Sequence, residues 1–365
     1  MSHDVKRPDL VKCLVWDLDN TLWQGTLLED DRVQLFDEIR EIVIELDSRG
    51  ILQSVASKND DDLAMAKLRE LGIAEYFVLP RIGWGPKSAS IRAIADELSF
   101  SEHTIAFIDD QPAERAEVTF SLPKVRCYTA EDAASLPTRP EFSPAVVTAD
   151  ARRRRAMYQG GFRRQAERDN FDGPDEDFLR SLELVMTIGR ATPAELSRVE
   201  ELTLRTSQMN ATGVHYSDAE LRKLIEDETH EVLVISLEDR FGPHGAVGIM
   251  LIELHSTVWH LKLLATSCRV VSFGAGTAIL RWLTDQAARA GVPVVADFRP
   301  TDRNRMMEVA YRFAGFEDRP GADMTALTAP AVEGVQRLYL EPTRQEPSTI
   351  IALTAPDLAL AGSLD

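Results

Sequence analysis

Val11-Lys12-Cys13-Leu14-Val15-Trp16-Asp17-Leu18-Asp19-Asn20-Thr21 is the stretch that decides the fold. A mostly apolar run leads into two carboxylates one residue apart, then an amide and a hydroxyl. Such a run reads as a buried strand whose C-terminal end delivers acid groups into a crevice, where open α/β sheets place ligands. Two aspartates crowded there repel unless something neutralises them, and a hard divalent cation with oxygen ligands does so. The same spacing also suits a strand end with two solvated aspartates that cap a helix. Alone it does not choose.

The following segments repeat the pattern. Ile51-Leu52-Gln53-Ser54-Val55-Ala56 is a second strand ending on Ser57, and Thr104-Ile105-Ala106-Phe107-Ile108 is another ending on Asp109-Asp110. Lys87 follows Trp84-Gly85-Pro86 at the start of a helical pattern. Strands are expected at 11–16, 51–56, 76–79, 104–108 and 125–128, with helices at 34–49, 60–71, 87–98 and 112–120. That alternation predicts a doubly wound parallel sheet with right-handed crossovers.

Taken in this order, the four sites resemble the haloacid dehalogenase-like phosphohydrolases, whose motifs are DxDxT, a strand-end Ser or Thr, a Lys and an acidic pair. In that superfamily cap domains enter after the first motif or between the second and third. Here the spacers from Thr21 to Ser57 and from Ser57 to Lys87 are little longer than the crossovers require. The resemblance therefore implies a site with no large cap. It makes Asp17 the nucleophile and Asp19 the acid/base, and it assigns Mg²⁺ to Asp17, the Asp19 carbonyl, Asp109 and Asp110. Ser57 and Lys87, with Thr21 and Asn59, form its substrate-binding set. An ordinary helix-start lysine is the alternative for Lys87.

The whole chain sets outer bounds. Its 365 residues are too many for one ordinary core and imply two domains. Hydrophobic content of 44% and charged content of 27% are those of a globular protein. The sequence has no long apolar run and no charged-then-apolar leader, so neither a membrane span nor a signal peptide is expected. Cys13, Cys127 and Cys268 have no metal-type spacing and suit a reducing cytoplasm. A net charge of -18 argues against nucleic-acid binding, which needs a basic face.

The expected organisation is a polar lead-in at 1–10, a phosphatase-like domain at 11–145, a linker with a basic helix at 146–175, a second domain at 176–345 and a tail at 346–365. The run Arg152-Arg153-Arg154-Arg155 reads either as a solvated helix face or as a docking patch for an acidic partner.

The second half is patterned differently. Strands are expected at 183–188, 231–238, 246–254, 258–265, 293–297 and 336–340, and helices at 193–206, 218–226, 275–290 and 303–314. Three consecutive strands before a helix suggest an antiparallel sheet feeding a central helix, as in the GNAT-type (N-acetyltransferase-like) fold. The turn Ser267-Cys268-Arg269-Val270-Val271-Ser272-Phe273-Gly274 resembles the pyrophosphate turn of that class at Arg269 and Gly274, while Ser272 stands where the class has its first Gly. A lone cysteine such as Cys268 is ordinarily a small buried hydrophobe. Its neighbour Arg269 and the helix start that follows instead favour a thiolate. His244, in a Gly-Pro-His-Gly turn, is a candidate base or a plain turn residue, and Asp239 or Arg240 could orient it.

Together the halves resemble the FkbH-like proteins of polyketide biosynthesis, on Asp17–Trp23, Ala56–Asp60, Trp84–Ser88, Phe107–Asp110, Asp239–Gly242, His244-Gly245 and Ser267–Val270. Gln24, His215 and Ser272 depart from the family's usual residues. The resemblance covers roughly residues 11–340. It implies a bifunctional glyceryltransferase/phosphatase that takes 1,3-bisphosphoglycerate and loads D-glyceryl onto a phosphopantetheinylated acyl carrier protein. Cys268 would carry the glyceryl group as a thioester.

Overall fold

The computed structural model describes residues 9–30, 32–144, 147–193, 195–205, 209–302, 304–319, 327 and 334–359, with the side chains of 197, 198, 201, 204, 205 and 268 excepted. The chain forms two compact units that divide between Phe162 and Arg163. That division falls inside the expected linker, earlier than the boundary read near residue 175.

The first unit contains strands β1 (Cys13–Trp16), β2 (Trp23–Gln24), β3 (Gln34–Leu35), β4 (Leu52–Ser57), β5 (Arg81–Ile82), β6 (Ile105–Asp109) and β7 (Arg126–Thr129). Its helices are α1 (Ile39–Ser48), α2 (Asp61–Glu70), α3 (Lys87–Leu98), α4 (Pro112–Ser121) and the single turn α5 (Ala149–Arg152), and α6 (Arg154–Asp169) begins in it. Five strands form one sheet in the order β5-β4-β1-β6-β7, all parallel. This is the expected doubly wound α/β arrangement.

Alternate residues of each strand feed opposite faces, as the two-residue pleat requires. Leu14, Trp16, Val55 and Ile108 pack with Ile39, Val43 and Leu46 of α1, whereas Cys13, Val15, Ala56 and Phe107 pack with Ile91 and Ile94 of α3 and Val118 of α4. The buried Gln53 is fully engaged. Its Oε1 accepts from Trp16 Nε1 at 3.1 Å and its Nε2 donates to the Val43 carbonyl at 2.8 Å. Strand order reverses between β1 and β6, so a crevice opens at the C-terminal ends of β1, β4 and β6.

Three local expectations need correction. Residues 34–38 are not helical: β3 pairs antiparallel with β2, and α1 begins at Ile39. The strand expected at 76–79 is instead a 3-10 turn at Ala74–Tyr76, followed by a lone bridge from Phe77 to Gln53. The arginine run divides: Arg152 and Arg153 are exposed, as a solvated face would be, whereas Arg154 and Arg155 are bound within the unit. Arg154 Nη1 donates to the Gly50 carbonyl at 2.8 Å, and Arg155 pairs with Asp47 at 2.9 Å and lies over the Tyr76 ring. Gly50, at φ +76°, ends α1 where a Cβ would sit 2.6 Å from the Ala151 carbonyl oxygen.

The second unit contains α7 (Asp175–Ser181), β8 (Leu184–Arg190), α8 (Leu196–Arg205), α9 (Asp218–Glu226), β9 (His230–Asp239), β10 (Gly242–Leu254), β11 (Trp259–Thr266), α10 (Ala275–Ala290), β12 (Val294–Phe298), α11 (Arg305–Phe313), β13 (Gln336–Leu340) and β14 (Ile351–Thr354). Its seven-stranded sheet runs β13-β12-β11-β10-β9-β8-β14. β8 to β11 lie antiparallel in chain order, with α8 and α9 between β8 and β9, and β12 joins β11 in parallel after the crossover through α10. This mixed α/β layout matches the GNAT-like expectation. Leu233, Met250, Leu261 and Ala296 pack under α10 and α11, while Val232, Ile249, Leu251 and Leu263 cover the other face with α8 and α9.

Within the expected tail, the described residues 346–359 include a strand. β14 pairs in parallel with β8, and Leu358 is fully buried with its N–H donating to Gln286 Oε1 at 2.9 Å. No helix among the described residues is long and apolar enough to cross a membrane.

Candidate active site

In the first unit, β1 carries Asp17 to the sheet's C-terminal edge, where its N–H donates to the Ile108 carbonyl at 2.9 Å. Beyond it the chain turns tightly. The Leu18 carbonyl accepts from the N–H groups of Thr21, Leu22 and Trp23, and Asn20 adopts φ +53°. The turn brings Asp17, the ends of β4 and β6, and the first residue of α3 together.

Lys87 is the hub of this arrangement. Its Nζ lies 2.8 Å from Asp17 Oδ1 and 2.5 Å from Asp109 Oδ2, with all three side chains at most 4% exposed. Burial works against the lysine's charge, but the two carboxylates outweigh it and raise its pKa. Burial pushes Asp17 up to about 6, and Asp109 adds to this, while Lys87 and a hydrogen bond from Ser57 pull it down. Two buried carboxylates share one cation, so the site carries an excess negative charge.

The remaining members of the set are held by the protein. Asp109 Oδ1 accepts from the Gln111 N–H at 2.7 Å, and the Asp109 carbonyl accepts from Arg115 at 2.6 Å. Thr21 Oγ1 accepts from the Asp110 N–H at 2.9 Å. Asp19 Oδ1 accepts from Trp23 Nε1 at 2.8 Å and the Leu27 N–H at 3.0 Å, and Oδ2 accepts from Asn59 Nδ2 at 3.0 Å. Thr21 and Asn59, read in the sequence as substrate-binding, therefore hold Asp110 and Asp19. The two anchors of Asp19 on the β2 hairpin and the part played by Arg115 had no sequence signal.

Carboxylate oxygens of Asp17, Asp109 and Asp110 lie within 4.8 Å of one another. Asp110 Oδ1 is buried without a hydrogen-bond partner. A crowded set of hard oxygens with one orphaned is the donor chemistry that suits Mg²⁺. The Asp19 carboxylate is not in this cluster, since its oxygens point to Trp23, Leu27 and Asn59. The expectation of a ligand from that residue concerns its carbonyl.

Asn59 is 1% exposed, and its amide steadies an oxygen of Asp19, which the resemblance makes the acid/base. Asn59→Ala is expected to lower kcat for phosphate release by about tenfold, from the loss of one hydrogen bond to a charged group, with little change in KM. An unchanged kcat would remove Asn59 from a positioning role.

In the second unit, the sequence-predicted His244 sits near the start of β10. Its Nε2 lies 3.0 Å from Asp239 Oδ2, at the end of β9, and its ring meets Phe273 edge-on with centroids 5.2 Å apart. Arg164 Nε donates to the same Asp239 oxygen at 2.5 Å, and its guanidinium lies over the Phe273 ring. Asp239, not Arg240, orients His244. Arg240 pairs with Glu167. Arg164 had no sequence signal.

Burial raises the Asp239 pKa, but hydrogen bonds from His244 and Arg164 outweigh it and hold it at about 2. A carboxyl depressed in this way stabilises the fold above its ordinary range and loses that contribution as pH falls through about 2. Melting temperature measured from about pH 5 down to 2 should therefore fall less steeply in Asp239→Asn than in the natural protein. Parallel acid limbs would contradict the assignment.

Phe273 closes the 3-10 turn Cys268–Phe273, so His244 touches the far end of the turn that Cys268 begins. The Cys268 side chain lies outside the described residues. Arg269 is exposed, with its Nε 3.3 Å from Ser267 Oγ. Gly274, at φ +74°, is the αL residue between the turn and α10. Cys13 is a free thiol buried in the core and Cys127 a half-buried one at its edge, and burial raises the pKa of both.

No family model and no curated protein matches the chain. Among solved structures, 36% of the chain is similar to the N-terminal part of a Bacteroides fragilis protein containing a phosphatase domain complexed with Mg, at 28% identity and a TM-score of 0.32. The match spans 38% of that solved chain. A HAD-superfamily hydrolase from Ehrlichia chaffeensis is similar over 33% of the chain and 87% of its own length, at 12% identity and a TM-score of 0.28. Ard1 from Thermoplasma volcanium is similar over 44% of the chain and 99% of its own length, at 15% identity and a TM-score of 0.32.

Proposed function

We propose that the protein is a bifunctional glyceryltransferase/phosphatase that acts on 1,3-bisphosphoglycerate and loads D-glyceryl onto a phosphopantetheinylated acyl carrier protein as a thioester. The observation that carries the phosphatase half is Lys87 held between Asp17 and Asp109 at a strand-end crevice, beside Ser57 and Asp110. The identity of substrate and carrier rests on the FkbH-like resemblance of the motifs.

In this reading Asp17 attacks phosphorus, the bond to the leaving oxygen breaks, and that oxygen takes a proton from Asp19. Asp19 then takes a proton from water, whose oxygen attacks the aspartyl-phosphate, frees Asp17 and releases phosphate. Asn59, Trp23 and the Leu27 N–H keep Asp19 in place through both steps. Lys87 and Ser57 bind phosphoryl oxygens. Mg²⁺ held by Asp17, Asp109, Asp110 and the Asp19 carbonyl would offset the repulsion between carboxylate and phosphate.

In the second unit the Cys268 thiolate attacks the acyl-phosphate carbon, expels phosphate and holds glyceryl as a thioester. The pantetheine thiol of the carrier then displaces it, with its proton passing to His244. The Asp239 contact supports that role by holding the ring in a fixed orientation. The protein acts in the cytoplasm, with neither nucleic acid nor membrane as a partner.

The test is intact-protein mass spectrometry after mixing the protein, Mg²⁺, freshly generated 1,3-bisphosphoglycerate and a phosphopantetheinylated carrier. A glyceryl mass shift on the carrier that is lost in Cys268→Ala supports the proposal. Normal carrier loading by that variant would sink the role of the thiol. Phosphate release with no shift on either protein would leave a stand-alone phosphatase.

A further inference from the structure

β11 extends to Thr266, but β12 pairs with it at Trp259–Val294, His260–Val295 and Leu261–Ala296 and then departs. Parallel strands that part in this way leave a row of backbone N–H and C=O groups on the longer strand. Such an edge is a template for any extended, amide-bearing chain. In this protein the edge is already taken.

Met209, Asn210 and Ala211 run antiparallel along it. The Ala211 N–H donates to the Leu264 carbonyl at 3.0 Å, and the Thr266 N–H donates to the Met209 carbonyl at 2.8 Å, with Asn210 bridged to Ala265. On the other side the Ala211 carbonyl accepts from the Arg299 N–H at 2.9 Å, one residue past β12. Three residues of the chain thus stand as a strand between β11 and the continuation of β12.

Two buried asparagines lock the segment. Asn304 Nδ2 donates to the Asn210 carbonyl at 3.0 Å and the Arg299 carbonyl at 2.9 Å, and its Oδ1 accepts from the Thr301 N–H at 2.9 Å. Asn210 Oδ1 accepts from the N–H groups of Thr212 and Gly213 and turns the chain out of the sheet. Asn210 and Asn304 are each 2% exposed, and Met209 and Ala211 belong to the unit's main core. Displacing the segment would strand these polar groups and open that core.

We infer that Met209–Ala211 is a fixed internal strand that closes the cleft between β11 and β12 to amide-bearing ligands, so the pantetheine arm of coenzyme A is not taken up there. The inference stands whether or not the glyceryl-loading reading holds, because it rests on the pairing of this segment and on the two buried asparagines that lock it. It bears on substrate class: an acyl group enters this unit by a route other than this cleft.

The experiment is amide hydrogen exchange on the full chain, read at Ala211 and Thr266, with and without coenzyme A at about 1 mM, a concentration that reports even weak binding. The expected result is protection within about tenfold of the β10–β11 amides and no change on addition of coenzyme A. Exchange as fast as in exposed loops, or a change of more than about tenfold with coenzyme A, would overturn the inference. Asn304→Ala should raise exchange at both amides while the strands of the first unit keep theirs, which also shows that the variant is folded there. Unchanged exchange at Ala211 and Thr266 in that variant would remove Asn304 as the lock.

Discussion

Asp17→Asn is expected to lower phosphate release by at least about 10⁴-fold, the scale on which removal of a nucleophile acts, while the protein melts no lower at pH 7. The two halves of that expectation have one origin. The amide matches the carboxylate in shape but cannot attack phosphorus. Asp17 is also one of two buried carboxylates that share Lys87, and burial lifts its pKa to about 6. A carboxyl raised above its unfolded value favours folding at low pH and loses that contribution as pH rises through about 6. Above that pH the natural protein holds a charge its surroundings disfavour, and the neutral amide leaves Lys87 and Asp109 as a balanced pair. Phosphate release and thermal melting at about pH 5 and 7.5 check both halves. Activity within tenfold of the natural protein would exclude Asp17 as nucleophile, and a melting deficit that grows with pH would contradict the charge count.

Lys87→Met removes the shared cation and is the sharper structural perturbation. Asp17 and Asp109 are 3% and 0% exposed, so the variant leaves two facing carboxylates buried without their partner. Breaking a buried pair from one side costs about 3–5 kcal/mol at neutral pH. The cost should shrink toward about pH 5, because a carboxyl that lacks its cation protonates more readily and then needs no counter-charge. Phosphate release should fall by at least about 10³-fold, as expected when a preorganised charge on the transferring group is lost. Urea unfolding at both pH values, with phosphate release measured under native conditions, tests this. A variant as stable as the natural protein at pH 7.5 would show that Lys87 does not neutralise the pair.

The parts of this protein that could be read from the sequence are those with local signatures. The apolar runs before Asp17, Ser57 and Asp109 announce β1, β4 and β6, and Pro86-Lys87 marks the start of α3. The change from alternating strands and helices to consecutive strands marks the second unit. Two-residue strands such as β2 and β3 carry no periodic signal, so residues 34–38 read as helix. β14 is short and flanked by proline-containing segments, so it read as tail, although its pairing with β8 places it in the sheet.

From the sequence alone came the residue types at each strand end, and with them the chemistry proposed for the first unit. Only tertiary structure decided which group each of those residues serves. Asp19 is held by Asn59, 40 positions away, and Thr21 receives the Asp110 N–H from 89 positions away. His244 faces Asp239 because β9 and β10 pair, and Asn304 locks Asn210 across 94 positions. Hydrophobic periodicity is a property of neighbouring residues and survives in a linear text. The partner of a buried polar group is chosen by the packing that brings distant strand ends to one place, and that choice exists only in the folded chain.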